Sequence, residues 1–413
     1  MRRWQWVQRQ QPSRFWSLAS PLLALLLTVG LASLLFAALG KSPVQGLQVF
    51  FWEPIKNGYA WGELLLKATP LLLIGLGLSL CFRSNVWNIG AEGQFIMGAV
   101  AAGAVALMAG PESSRWMVLP VLLAGMAGGM VWGAVVAWLR DHFHANEILV
   151  SLMLVYVAEQ FLGYMVSGPL KDPDGYGFPL SKLFEAATAV PKLVAGSRVN
   201  IGLLLALLGA VLLWLYLFRT RGGFAQQVGG MAPVAARYAG FSSRRALWLA
   251  LLVSGGAAGL AGALEVAGPI GQLTLSLPAG YGFAAIIVAF VGRLHPVGVV
   301  FSSILMSMLY IGGELAQSRL GLPKSISLVF QGLLLFTLLA CDTLIHSHWR
   351  RVGARVPKGA EEESPDKQAA PADAADATNV VAVAAPAKVE QAEANHAAAP
   401  NTPAVQTLQE DTP

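Results

Sequence analysis

Long apolar stretches recur along the first 343 residues of the chain, and short polar connections separate most of them. A stretch of roughly 17–25 apolar residues is what an α-helix needs to cross the hydrocarbon core of a bilayer. The pattern therefore predicts ten membrane-spanning helices, over about residues 15–39, 60–82, 91–109, 117–138, 147–166, 201–218, 247–267, 281–293, 296–315 and 324–343.

The ten predicted helices fall into two halves of five, on either side of the polar segment Ser167–Asn200. An odd number of crossings in the first half makes the second half enter the membrane from the opposite side, which is typical of an inverted-topology repeat. We therefore expect an all-α, polytopic helical bundle of the bacterial cytoplasmic (inner) membrane, with two inverted five-helix halves.

Arginine is concentrated in the connections that share a side with the N-terminus, above all in Arg219–Arg245. Positively charged short loops tend to remain in the cytoplasm, so both termini are expected there. The chain then divides into a cytoplasmic N-terminal segment over residues 1–14, a transmembrane domain over 15–343 and a cytoplasmic tail over 354–413. Ala, Pro and Glu dominate the tail and aromatic residues are absent from it, so we expect it to be disordered.

Four strong polar side chains interrupt the pattern around the start of the third predicted helix: Asn85, Asn88, Glu92 and Gln94. A carboxylate at the centre of a membrane helix costs about 2.5–3.5 kcal/mol on insertion scales, and unpaired backbone is also costly in lipid. We therefore predict that these residues line the pathway of a substrate, with Glu265 as their counterpart in the second half. The alternative is that they tie broken helix ends together.

Composition supports a membrane protein and argues against other classes. The chain is 55% hydrophobic and 12% charged, with a mean hydropathy of +0.58. Its net charge of +5 does not form a basic face interleaved with aromatic residues, so a nucleic-acid partner is not expected. The two cysteines, Cys81 and Cys341, lie in apolar segments and are interpreted as buried small side chains.

Motifs for chemistry are missing from the sequence. It contains no phosphate-binding loop of the G-x-x-x-x-G-K-[ST] type, no H-E-x-x-H motif, no Cys/His cluster and no G-x-S-x-G element. We therefore predict no catalytic residue, no metal ligand and no cofactor bound by this chain. A polytopic protein of this kind is a channel, an ion-driven carrier, or a pore subunit driven by a separate motor.

The segment Arg219–Arg245 favours the third of these classes. Pro233 can open a short helix, Gly240 is placed to end it, and Ser242 can cap the helix that follows. A short helix at the cytoplasmic mouth, with Tyr238 as an anchor, is a surface that a neighbouring ATPase could grip.

This segment resembles the coupling loop of permease subunits of ATP-binding-cassette importers, in the group that carries simple sugars and nucleosides (the branched-chain amino acid/ribose-type permease family). The family pattern Gly-x-Asn-Pro-x-Ala-Ala-x-Tyr-Ala-Gly-Ile differs here only by Ala232 in place of Asn and Phe241 in place of Ile. The matching positions that we expect to contact the ATPase are Gly230, Pro233, Ala235, Ala236, Tyr238 and Gly240.

Two further elements carry the same resemblance, which covers about residues 60–342. Asn88–Gln94 is similar to the family's Asn-Ile-Gly-x-Glu-Gly-Gln element. Asn146 and Glu147 begin a segment similar to Asn-Glu-x-x-Ser-x-Leu-Met, and we expect them to act in gating or bracing. The Glu-Gly-Gln form resembles the nucleoside-type branch.

The resemblance implies a transport subunit without enzymatic activity, with ATP and magnesium bound by a partner ATPase. It further implies a second, different permease chain, an extracytoplasmic solute-binding protein, and contact with membrane lipid. The expected cargo is a nucleoside, of the purine type, and a simple sugar is the second choice. Two alternatives remain open on the residues alone: an ion-coupled secondary carrier that uses Glu92 and Glu265 as ion ligands, and a passive channel.

Overall fold

The structure of the chain is a computed structural model, and it describes residues 3–8, 14–194, 196–323 and 325–352, with side chains only from residue 19 to residue 341. Residues 4–351 form one compact unit. Residues 1–3 and 352–413 group separately, and of these only Arg3 and Val352 are described. The predicted tail over 354–413 and residues 1, 2 and 9–13 of the predicted N-terminal segment lie outside the described residues.

The described chain is helical apart from one short pair of strands near its two ends. The strands β1 (Arg3–Gln8) and β2 (Ser347–Val352) pair in a two-stranded sheet that the sequence pattern does not predict. The helices are α1 (Arg14–Ala38), α2 (Pro43–Leu47), α3 (Gly58–Arg83), α4 (Ala91–Ala106), α5 (Val118–Phe143), α6 (Glu147–Ser167), α7 (Gly202–Arg219), α8 (Arg221–Met231), α9 (Pro233–Tyr238), α10 (Ser243–Glu265), α11 (Tyr281–Val291), α12 (Pro296–Leu320) and α13 (Ile326–His346).

Each of the ten predicted spans coincides with one of these helices, namely α1, α3 to α7 and α10 to α13. Seven of them are long and apolar enough to cross a membrane: α1, α3, α5, α6, α7, α10 and α12. The other three are shorter apolar helices, over Ala91–Ala106, Tyr281–Val291 and Ile326–Cys341. The chain is thus an integral membrane protein with multiple apolar helices, while the inverted relation of its halves stays a prediction.

Helices α4, α5 and α10 cross at a point where glycines let their backbones touch. A Cβ atom built on Gly98 of α4 would lie 2.2 Å from Cα of Gly259 in α10, and one built on Gly259 would lie 2.2 Å from the carbonyl oxygen of Gly125 in α5. Small residues at helix interfaces are how membrane helices gain close packing when lipid offers no hydrophobic driving force.

The polar segment Ser167–Asn200 starts at the last residue of α6, and the structure has no helix in its other described residues, 168–194 and 196–200. It packs on the connection that follows α10, where Leu180 and Thr274 form an antiparallel bridge. Arg198 holds its far end to the start of α3, since its Nε donates a hydrogen bond to Glu63 Oε1 at 2.9 Å. That bond to a carboxylate raises the pKa of Arg198. The segment is therefore tethered to the bundle near its middle and near its far end.

Candidate functional site

The polar break between α3 and α4 is closed by hydrogen bonds between its own amides. Asn88 Nδ2 donates to Gln94 Oε1 at 2.9 Å, and Gln94 Nε2 donates back to Asn88 Oδ1 at 3.3 Å. Asn88 Nδ2 also donates to Ser254 Oγ of α10 at 3.0 Å. Both amide side chains are fully buried, so in this conformation they tie α4 to α10 and face no open space.

Glu92 lies in the first turn of α4 and is 1% exposed. Its Oε1 accepts a hydrogen bond from the backbone N–H of Gly280 at 2.9 Å, and its Oε2 accepts one from Gly282. The first N–H groups of a helix have no partner inside the helix, and the positive end of the helix dipole attracts a carboxylate. Glu92 therefore caps α11 from a position 188 residues earlier in the chain.

The polar break between α3 and α4 is packed so closely on two sides that an added methyl group would not fit. A Cβ atom built on Gly282 would lie 2.2 Å from the backbone nitrogen of Glu92, and one built on Gly90 would lie 2.6 Å from the carbonyl oxygen of Ser151 in α6. Ser151 Oγ also accepts a hydrogen bond from the backbone N–H of Ile89 at 3.2 Å. The break is thus anchored to α6, α10 and α11.

Glu265, the last residue of α10, belongs to a second polar cluster that the sequence pattern does not reveal. The Tyr281 hydroxyl donates to Glu265 Oε1 at 3.4 Å and accepts a hydrogen bond from Lys67 Nζ at 2.9 Å. Lys67 Nζ also lies 3.5 Å from a carboxylate oxygen of Glu314. The residue that could have predicted this cluster from the sequence is Lys67, because it is a charged residue inside a predicted membrane span.

Asn85 lies apart from the other predicted pathway residues. Its side chain is exposed and accepts a hydrogen bond from Trp87 Nε1 at 3.3 Å. Its backbone φ is +53°, a left-handed conformation that asparagine tolerates better than most residues at the end of a helix. The local turn alone accounts for an asparagine at this position.

The segment predicted to contact an ATPase forms α8, α9 and the start of α10. Pro233 is the first residue of α9, Gly240 has a φ of +77°, and the side chain of Ser242 caps α10, so the predicted start, stop and cap are all confirmed. Tyr238 is 90% exposed while Ala236 is 4% exposed. The short helix therefore packs through one alanine and presents its tyrosine outward.

Gly230 and Ala235, the other two residues expected to contact the ATPase, differ in their surroundings. A Cβ atom on Gly230, in α8, would lie 2.3 Å from the carbonyl oxygen of Arg83, at the end of α3. Ala235 is exposed. Helix α8 is not predicted from the sequence because glycine disfavours helix; here Thr220 caps it, with its hydroxyl accepting the N–H of Gly223 at 3.0 Å.

Asn146 and Glu147 join α5 to α6. Asn146 caps α6, with its Oδ1 accepting the backbone N–H of Ile148 at 2.9 Å. Glu147 forms an ion pair with Arg140 of α5. Both contacts are between protein groups, and they favour bracing over gating for this pair.

The outer face of α6 carries polar and aromatic side chains that the sequence reading did not single out. Tyr156 is 57% exposed and Tyr164 is 64% exposed. Gln160 is exposed between them, and Glu159 beside it is half-buried. In the part of the chain that the structure describes, neither Glu159 nor Gln160 has a hydrogen bond or ion pair within the protein.

One cavity in the described part of the chain is lined almost entirely by apolar groups and offers little for a polar solute to bind. It has a volume of about 530 Å³ and lies between α3, α5, α7 and α10, where its walls are mainly leucine, methionine and glycine. Across the residues that the structure describes, no three His, Cys, Asp or Glu side chains come together as ligands for a metal ion. The polar faces described above are therefore the candidates for contact with cargo.

Comparison with known proteins identifies related sequences. The family described as "Branched-chain amino acid transport system / permease component" matches residues 61–339. The chain is 32% identical to the glucose ABC transporter permease protein TsgB13 of Haloferax volcanii, over 78% of this chain and 87% of the relative. It is 30% identical to the guanosine ABC transporter permease protein NupP of Bacillus subtilis, over 74% and 88% of the two chains. It is also 30% identical to NupQ, named as a guanosine ABC transporter permease protein of the same organism, over 57% and 76%.

Proposed function

We propose that this chain, which belongs to the family of branched-chain amino acid transport system permease components, forms one half of the translocation path for a purine nucleoside. It is a permease subunit of an ABC importer for a nucleoside or sugar. Subunits of this family are not catalytic. ATP and its magnesium ion are bound by a separate ATPase chain. The observation that carries the proposed path is the unpaired polar face of α6.

That face cannot be in contact with lipid along its whole length. Glu159 follows Glu147, the first residue of α6, by 12 residues, which places it about 18 Å along the helix axis. Ionisable groups at such depth face protein or a watery cavity because lipid does not solvate them. Since Glu159 and Gln160 have no partner in the described part of this chain, the face is completed by a second permease or by water along a path between the two.

The chemistry of this face suits a nucleoside. Tyr156 and Tyr164 are exposed two helical turns apart, and an aromatic ring stacks on a purine base without demanding charge. Gln160 offers both an amide donor and a carbonyl acceptor for ring nitrogens or ribose hydroxyls. Weak contacts of this kind suit an importer in which an extracytoplasmic binding protein supplies the affinity.

The relatives support the cargo and the partner. NupP and NupQ are two permeases of one organism, and both names specify guanosine. We therefore favour a purine nucleoside and a heterodimer of two different permeases. The name of TsgB13 specifies glucose, which keeps a simple sugar as the second cargo.

The two ends of the bundle are assigned to different partners. Helix α10 runs from Ser243, beside α9, to Glu265, about 33 Å further along its axis. We place α9 and Tyr238 on the cytoplasmic side, against the ATPase, together with both termini. The segment Ser167–Asn200, which packs beyond the other end of α10, then faces the binding protein on the outside of the bacterial inner membrane.

The buried amides take a bracing role in this proposal. Asn88, Gln94 and Glu92 hold the ends of broken helices in place, and Glu265 with its partner Tyr281 lies at the outer entrance of the path. Asn85 lies at the coupling end. Cargo contact is assigned to α6.

The test is uptake of radiolabelled guanosine by the complete importer in proteoliposomes, with purine nucleosides and pentoses as competitors. We expect Gln160→Leu to lower uptake by about tenfold, the cost of one hydrogen bond to cargo, without loss of assembly. Phe301→Ala, which alters an apolar side chain 70% exposed on α12, is the control and should leave uptake unchanged. Transport by the purified chain alone, driven by an ion gradient without ATP, would contradict the proposal.

A further inference from the structure

We propose that Arg83 is the positioning residue through which movement of α8 reaches α11. The inference rests on the proposed function, because it assumes that an ATPase moves the segment formed by α8 and α9. It concerns a residue outside the polar break and outside the coupling segment itself.

Arg83, the last residue of α3, hydrogen-bonds both to α8 and to the residues just after α11. Its Nε donates a hydrogen bond to the carbonyl oxygen of Leu294, just after α11, at 2.7 Å. Its Nη1 donates to Gln227 Oε1 of α8 at 2.9 Å. The guanidinium also lies 5.3 Å from the ring centre of Phe218, which fixes its plane. Arginine suits this position because its planar fork holds two acceptors in fixed directions.

The side-chain amide of Gln227 is itself held in place by a second hydrogen bond, to α7. Its Nε2 donates to the carbonyl oxygen of Leu217 at 2.8 Å, at the end of α7. Gly230, one turn further along α8, packs directly on the carbonyl of Arg83. A displacement of α8 thus changes contacts of both the side chain and the backbone of Arg83.

Helix α11 is held at both of its ends. Its C-terminal end is tied to α3 by Arg83 and by the stacking of Phe290 on Phe82, with ring centres 5.1 Å apart. Its N-terminal end is tied to α4 by Glu92. Because α11 has only 11 residues, a shift at one end moves the whole helix, and Glu92 carries that shift to the break between α3 and α4.

The experiment uses the complete importer in proteoliposomes and measures guanosine imported per ATP hydrolysed. Arg83→Ala should assemble and hydrolyse ATP but lower this ratio by about tenfold, as expected for the loss of a coupling free energy of common size. Gln227→Leu should have the same kind of effect, and the double variant should be no worse than Arg83→Ala, since both break one connection. Arg83→Lys, which keeps one donor, should restore part of the ratio.

Arg115→Ala is the matched control, because it removes an exposed arginine outside the coupling segment and outside the contacts of Arg83. The guanosine imported per ATP hydrolysed by this variant should stay within about twofold of the value for the unaltered importer. A ratio that is unchanged in both Arg83→Ala and Gln227→Leu, or additive losses in the double variant, would overturn the proposal.

A second readout separates this proposal from the choice of cargo. Spin labels at Phe283 in α11 and Leu123 in α5, both exposed, report whether ATP changes the distance between these helices. We expect a change in the original complex that Arg83→Ala abolishes. If guanosine is not imported but this pattern is seen, the cargo is wrong and the role of Arg83 stands. If ATP moves α11 equally in the Arg83→Ala complex, the role of Arg83 is rejected whatever the cargo.

Discussion

At the scale of single residues, Glu92 shows how a buried carboxylate can be structural inside a membrane protein. Replacing it by alanine leaves two buried backbone N–H groups at the start of α11 without an acceptor. We expect Glu92→Ala to destabilise the purified chain by about 2–3 kcal/mol, and Glu92→Gln by less, since one oxygen remains. Thermal unfolding in detergent measures the difference, with Glu112→Ala, at an exposed loop position, as the control. Equal midpoints for Glu92→Ala and Glu112→Ala would show that the cap contributes nothing.

Two adjacent glycines of α8 provide a matched pair for testing the coupling end. A Cβ atom on Gly230 would collide with the carbonyl oxygen of Arg83, whereas one on Gly229 meets nothing within 4 Å. We expect Gly230→Ala to push α8 away from α3 and to lower the stimulation of ATPase activity by cargo-loaded binding protein. Gly229→Ala should leave stimulation intact, because alanine only favours the helix. Full stimulation in the Gly230→Ala complex would argue against close docking of α8 as the route of coupling.

The sequence identified the residues of the polar break but not their partners. Asn88 and Gln94 could be predicted as buried polar groups because lipid forces such groups into protein. The hydrogen bond from Asn88 to Ser254 and the capping of α11 by Glu92 join positions more than 160 residues apart. Such contacts depend on how the helices pack, and one sequence does not contain that information. The α6 face was missed for a related reason, since exposure is a property of the assembled bundle.

At the scale of helices, the crossing of α4, α5 and α10 depends on backbone contact between glycines. We expect Gly259→Ala to separate α10 from α5, since the added Cβ would lie 2.2 Å from the carbonyl oxygen of Gly125. Overpacking of this kind costs about 1–3 kcal/mol, and the thermal midpoint should fall accordingly. Gly332→Ala in α13, where nothing lies within 4 Å, should keep or raise the midpoint. Equal thermal midpoints for Gly259→Ala and Gly332→Ala would mean that the helix crossing accommodates the added methyl group without loss of stability.

The long apolar helices and the short helix α9 were predictable from the sequence, and α8 was not. Each long apolar run became one helix because lipid forces the backbone to satisfy its own hydrogen bonds. Helix α8 has four glycines among its 11 residues, and only contacts such as Gln226 Nε2 to the carbonyl of Ala246, at 2.8 Å, hold it in place. Tertiary contacts keep α8 helical despite its weak helix propensity. The sequence alone shows that propensity and does not show the contacts.

At the scale of the whole molecule, the number of crossings decides the orientation of every loop. If α4, α11 and α13 cross the membrane as the ten-span prediction requires, Val44 and Leu183 lie on the same side of the membrane and Tyr238 lies on the other. If only the seven long helices cross, Leu183 moves to the side opposite Val44. Of the three short helices only α4 precedes α9 in the chain, so with a cytoplasmic N-terminus the crossing of α4 determines whether α9 can meet an ATPase in the cytoplasm.

Cysteine labelling distinguishes the two topologies, because Val44, Leu183 and Tyr238 are 74%, 73% and 90% exposed and the two native cysteines are buried. In a background with both native cysteines changed to serine, a membrane-impermeant maleimide should label Val44→Cys and Leu183→Cys in intact cells. It should label Tyr238→Cys only after the membrane is opened, since the positively charged segment around it is expected in the cytoplasm. Labelling of Tyr238→Cys together with Val44→Cys in intact cells would place α8 and α9 outside, where no ATPase could reach them, and the assignment of the coupling segment would fail.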